Sequence, residues 1–108
     1  MGEIRKHNYR RIMKQIKIPQ GRIKYEIVNG DDQVGSYLIL MSISVKEEYR
    51  NKGFGSKLVN LLIETAKKNN IKEIITFANT DGLSDIFGKF LIKNKFEKTY
   101  YNVFSKQI

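Results

Sequence analysis

The most suggestive chemistry in this chain of 108 residues lies at Arg50-Asn51-Lys52-Gly53-Phe54-Gly55-Ser56, where two glycines sit one residue apart beside two cations. Without a Cβ, glycine lets backbone N–H groups come close to a ligand. A helix starting at such a turn adds unpaired N–H donors and the positive end of its dipole. Arg50 and Lys52 bring positive charge to the same mouth. The combination suits a phosphate or pyrophosphate, with roughly 1.5–3 kcal/mol from each charge-assisted hydrogen bond. Two glycines serve an ordinary tight turn equally well. The spacing is neither that of the P-loop nor that of the dinucleotide fingerprint G-x-G-x-x-G.

Other chemistries are excluded by composition. The chain has no cysteine, so disulfides, thiolate metal sites and a Cys nucleophile are ruled out. Its one histidine, His7, reads as a surface residue and leaves no partner for a His-rich metal cluster. A chain this short is expected to form one domain, and 41% hydrophobic residues supply its core, against intrinsic disorder. The longest apolar run, residues 37–41, falls far short of the ~20 residues of a membrane span. The first twenty residues lack an apolar signal core, so a cytoplasmic location is expected.

The net charge of +9 is concentrated at the ends: residues 1–24 carry +7, residues 25–88 carry −2, and residues 89–108 carry +4. This asymmetry fits a basic face for nucleic acid or an acidic partner, and it fits simple compositional bias.

The elements that position the glycine turn can be read from periodicity. Residues 11–18 alternate loosely and suit a strand or a short helix. Ile23, Tyr25 and Ile27 alternate with Arg22, Lys24 and Glu26, which predicts a half-buried strand. Asn29-Gly30-Asp31-Asp32 predicts a hairpin turn. Residues 34–45 come next as a long strand, apolar on both faces at first and then placing Ser42 and Ser44 opposite Ile43 and Val45. Those serines leave room for a ligand against the sheet, or are ordinary surface positions. Phe54, Leu58, Leu61, Leu62 and Ala66 predict a helix over 54–69. Residues 71–78 read as a strand parallel to the previous one, because a crossover helix joins them. Leu83, Ile86, Phe87, Phe90 and Leu91 mark a second helix, and residues 96–104 read as one closing strand. The expected fold is α/β, with a mixed central sheet.

The passage from Ile43-Ser44-Val45 through Arg50-Asn51-Lys52-Gly53-Phe54-Gly55 to Leu58 closely resembles the acyl-CoA signature of the GCN5-related N-acetyltransferases (GNAT), Arg/Gln-x-x-Gly-x-Gly/Ala after a strand. A second segment, Phe90-Leu91-Ile92-Lys93-Asn94-Lys95-Phe96, is similar to the family's Phe-Tyr-x-Lys-x-Gly-Phe. The resemblance implies a GNAT-like domain over 22–108, preceded by a basic segment over 1–21. It further implies acetyl-CoA as cofactor, held at the pyrophosphate by Arg50, Asn51, Lys52, Gly53, Phe54, Gly55 and Ser56. The edge near Ile43 and Val45 would hold the pantetheine arm, and Asn79 would face it. Val45 N–H would polarise the thioester carbonyl. The implied reaction is direct attack by an amine acceptor, a protein lysine among the options, in a ternary complex.

Three departures bear on catalysis. Leu91 stands where the family often has a proton-donating Tyr, which leaves an unassisted thiolate or Tyr100 or Tyr101 as substitutes. Ser42 and Ser44 occupy the stretch where a basic carboxylate is common, with Glu26 on the neighbouring strand as the nearest guess and a surface position as its simpler reading. Lys95 replaces the Gly before Phe96. The chain is also N-terminally short for this family, whose members usually carry two helices between their first two strands. Two other readings therefore stand beside the acetyltransferase: a catalytically silent CoA-binding or regulatory module, and a basic binder of nucleic acid or an acidic partner.

Overall fold

Ile23, Tyr25 and Ile27 are all buried, but so are Glu26 and Val28, so the second half of this strand is covered on both faces and not half-buried as its alternation predicts. They lie on the second of six strands in the computed structural model, which describes residues 10–30, 35–78, 84–100 and 102–108. The elements are β1 (Arg10–Ile18), β2 (Gly21–Asn29), β3 (Ser36–Val45), α1 (Phe54–Lys68), β4 (Glu73–Phe77), α2 (Ser84–Lys93), β5 (Glu97–Tyr100) and β6 (Val103–Gln107). A 3-10 turn at Glu47–Tyr49 separates β3 from α1. The strands form one mixed sheet in the order β1-β2-β3-β4-β6-β5. The expected parallel pair is present, β3 beside β4, and every other pairing is antiparallel.

Two expectations need correction or completion. Residues 11–18, which suited either strand or helix, form a strand paired with β2 from Arg10↔Asn29 to Ile18↔Gly21. The basic segment expected to precede the domain therefore supplies an edge strand of the sheet. The single closing strand is instead a hairpin, with β6 inserted between β4 and β5. Asn102 breaks the run as a turn residue, and a closing strand twice as long would have found no partner beyond the five residues of β4. His7, Asp31, Asp32, Asn79, Leu83 and Tyr101 lie outside the described residues.

Both helices cover the same face of the sheet. Helix α1 buries Leu58, Val59, Leu62 and Ala66 against Ile23, Leu38, Leu40 and Ile74. Helix α2 adds Leu91 to that core and sets Gly88 against the Phe104 ring. The helices close in the same way: Ile71 N–H donates to the Ala66 carbonyl at 2.9 Å, and Phe96 N–H to the Leu91 carbonyl at 2.9 Å. In each case the residue before the donor takes a left-handed backbone, Asn70 at φ 56° and Lys95 at φ 72°.

Candidate functional site

The site begins with a break in the sheet. Strands β3 and β4 pair only from Leu38↔Ile74 to Leu40↔Thr76, and Thr76 Oγ1 donates to the Leu40 carbonyl at 2.9 Å on that last rung. Beyond it each strand keeps its other neighbour. β3 stays with β2 as far as Gly21↔Val45, while Ala78 N–H donates to the Asn102 carbonyl at 2.9 Å beyond the end of β4. An irregularity marks the parting: Tyr25 faces Leu40 and Lys24 faces Ser42, so Met41 is an extra residue in β3. A bulge of this kind bends its strand and re-aims the residues beyond it.

The bulge determines which polar groups line the gap. Lys46 N–H donates to the Gln20 carbonyl at 2.9 Å, so the Gly21↔Val45 pair does not exchange hydrogen bonds. In an antiparallel ladder, the N–H and C=O of such a residue turn away from the partner strand. Val45, and Ile43 two residues before it, therefore present their backbone groups to the edge that β4 leaves open. Gly21 makes the close approach possible, since a Cβ there would fall 2.2 Å from the Ser44 carbonyl oxygen.

Next to this edge lies a cleft of about 740 Å³. Ile43, Ser44 and Val45 form one wall, and Arg50, Asn51, Gly53, Phe54, Gly55 and Ser56 form its floor. Gly53 caps α1 at φ 89°, a left-handed conformation suited to glycine, and its carbonyl accepts from Lys57 N–H at 3.0 Å. The first N–H groups of α1 have no partner within the helix, and no acidic side chain in the first turn offsets the dipole. Arg50 bridges loop and strand, its Nε donating to the Val45 carbonyl at 3.1 Å.

The opposite wall is aromatic, and sequence reasoning did not assign it to the site. Ile86, Phe87, Phe90 and Lys93 of α2 line the cleft, with Phe87 and Phe90 stacked at 6.3 Å between centroids. Tyr49 completes it, meeting the Phe54 ring edge-on at 5.7 Å. The usable signal was spacing, because 86, 90 and 93 fall on one helical face. Gly55 is required here for packing: a Cβ would come within 3.0 Å of the Phe90 ring.

Ile43, Val45, Arg50, Asn51, Gly53, Phe54, Gly55 and Ser56 are thus brought together as expected. Lys52 is exposed and is not among the residues lining the cleft. Asn79 lies outside the described residues. Tyr100 ends β5, the outer strand, with β4 and β6 between it and β3. At ordinary strand spacing that places its backbone about 14 Å from β3. Leu91 is fully buried in the core, so its position packs the fold and faces no ligand. Glu26, read more simply as a surface residue, is buried at 9% exposure.

A family model described as the acetyltransferase (GNAT) family matches residues 18–84. No curated protein matches the sequence. Among solved structures, Arabidopsis thaliana Naa50 in complex with the bisubstrate analogue CoA-Ac-MVNAL is 27% identical with a TM-score of 0.64, covering 82% of this chain and 66% of its own. Arabidopsis thaliana NAA60 with a bisubstrate analogue is 13% identical (TM-score 0.69), covering 82% and 65%. The PaiA N-acetyltransferase of Thermoplasma acidophilum in complex with coenzyme A is 22% identical (TM-score 0.63), covering 82% and 54%. This chain therefore spans between 54% and 66% of the length of these neighbours. None of them supplies a nucleic-acid partner for the basic N-terminal segment.

Proposed function

Given that the chain belongs to the GNAT family of acetyltransferases, we propose that it is an acetyl-CoA-dependent N-acetyltransferase acting on a peptide or other amine acceptor. The observation that carries this reading is the parting of β3 from β4 immediately beside the N-terminus of α1. A pyrophosphate-bearing arm can be anchored at that N-terminus while its far end reaches the gap.

Bound there, acetyl-CoA supplies an acyl group already activated as a thioester. The chain's own residues do the rest. Backbone N–H groups at the start of α1 hold the pyrophosphate, with Arg50 adding charge. Open-edge groups of Ile43 and Val45 align the amide-bearing arm. Val45 N–H donates to the carbonyl oxygen as negative charge develops on it, a contribution realised mainly in the transition state. With no cysteine in the chain, the amine attacks directly in a ternary complex, and catalysis rests on positioning. Attack forms the N–C bond as the C–S bond breaks, and the proton shed by the amine balances the thiolate that leaves, so amine and thioester become amide and thiol. The CoA-Ac-MVNAL analogue bound by Arabidopsis thaliana Naa50 supports a peptide amine as acceptor.

Calorimetry with acetyl-CoA tests the reading directly. Binding is expected for the natural chain, and Gly53→Val is expected to weaken it at least about tenfold, because a branched side chain disfavours the left-handed backbone that aims the donors. No heat with either acetyl-CoA or CoA would overturn the reading. Thiol release above the spontaneous rate with any amine would exclude a catalytically silent module.

A further inference from the structure

The strand at one end of the sheet carries cations with no acid to balance them. β1 reads Arg-Arg-Ile-Met-Lys-Gln-Ile-Lys-Ile over Arg10–Ile18. Ile16 and Ile18 pack against the helix-covered core, so alternation turns Met13, Gln15 and Lys17 to the face away from the helices. On that face Lys17 stands directly across from Arg22, and Gln15 across from Lys24, with all three cations exposed. Glu26, the next residue of β2 on that face, is buried across from Met13. Like charges opposite each other on neighbouring strands repel. The turn end of this hairpin is therefore a positive patch that an anionic neighbour relieves.

The backbone of the same strand is an open ladder. Gly21 and Val45 do not exchange hydrogen bonds, so Gly21 turns its N–H and C=O toward β1. The β1–β2 register runs unbroken from Ile18↔Gly21, so Ile16, Lys14 and Ile12 bond inward with Ile23, Tyr25 and Ile27. Met13, Gln15 and Lys17 turn their N–H and C=O outward, where no strand pairs with them among the described residues. Ile12, 41% exposed, and Met13, 56% exposed, flank that edge.

Donors and acceptors repeating at strand spacing are matched by another extended polypeptide, whereas nucleic acid has no such ladder. A second copy of this chain pairing there sets four more cations against the four of β1. We propose that the outer edge of β1 docks an extended acidic segment of a partner protein. The segment adds as a further strand, with carboxylates on the side of Lys17, Arg22 and Lys24 and apolar side chains beside Ile12 and Ile16. Docking there does not depend on the acetyltransferase reading of the cleft.

Fluorescence anisotropy with the full chain and an eight-residue peptide of alternating Glu and Val tests the docking. This peptide is expected to bind at least about tenfold more tightly than a Lys-Val peptide of the same length, because like charges across an interface are disfavoured. Methylating alternate amide nitrogens of the Glu-Val peptide gives two sets, and a paired strand uses only one of them. One set should weaken binding at least about tenfold, and the other should leave it within about twofold. No binding of the Glu-Val peptide, equal affinity for the Lys-Val peptide, or an equal effect of both methylated sets would overturn the proposal.

Gln15→Pro removes an outward N–H that the β1–β2 ladder does not use, and an edge strand accommodates proline at such a position. The variant should keep its thermal melt and lose at least about tenfold in affinity for the Glu-Val peptide. Should it fail to fold, the methylated peptides still decide the matter on the natural chain. A folded variant with unchanged peptide binding overturns the edge as the docking element. Sedimentation showing a dimer that Gln15→Pro dissolves would assign the edge to a second copy, and displacement of the peptide by an equimolar DNA octanucleotide would assign the patch to nucleic acid. Either result overturns the acidic segment.

Discussion

At Lys95 the backbone takes φ 72° to close α2, a conformation in which a Cβ is strained. The two hydrogen bonds around it, Lys95 N–H to Ile92 and Phe96 N–H to Leu91, both at 2.9 Å, hold it there. Glycine at this position removes the strain, so Lys95→Gly is expected to stabilise the fold by about 0.5–1 kcal/mol. A thermal melt should show a rise of a few degrees, at roughly 4–8 °C per kcal/mol for a domain of this size. The departure from the family segment at this residue is therefore one of stability, whereas the departure at Leu91 concerns packing, since that side chain is fully buried. Residue types near the glycine turn were legible because their demands are local. The φ of 89° at Gly53 reflects glycine at a helix entry, whatever the rest of the chain does.

Among the elements, β3 carries most of the functional geometry. Its first half is an interior strand buried on both faces, and its second half is an edge facing the cleft. The Thr76 hydroxyl, donating to the Leu40 carbonyl at 2.9 Å, pins the rung at which the change occurs. Thr76 is 1% exposed, so Thr76→Val leaves a buried carbonyl short of a donor and should cost about 1–2 kcal/mol. Urea denaturation should report a lower midpoint with an unchanged slope. The gap was inferable only by family resemblance, because the alternation along residues 34–45 does not say where a partner strand departs. The closing hairpin was hidden for a similar reason: an apolar, aromatic run reads as one strand until its partner proves too short.

At the scale of the molecule, the described residues set one layer of helices on a six-stranded sheet, and Tyr25 is among the large groups of its core at 5% exposure. Burial pushes its phenol above the usual value of about 10 by disfavouring the charged form. Above pH 10 the folded state therefore binds more protons than the unfolded chain, and stability falls as pH rises through the folded value. Below pH 10 Tyr25 contributes no slope. Denaturation between pH 8 and 11 should show a decline in the natural chain that is smaller in Tyr25→Phe, the difference between them isolating this group. Sequence by itself determined the strand-turn-helix that suits an anion, the parallel β3–β4 pair and the absence of thiol chemistry, since each depends on neighbours along the chain or on composition. Tertiary structure alone decided where the sheet parts, that β1 and the inserted β6 belong to it, and that an aromatic face of α2 closes the cleft. Those outcomes depend on which distant segments compete for the same backbone hydrogen bonds and the same apolar surface, and no local pattern encodes the result of that competition.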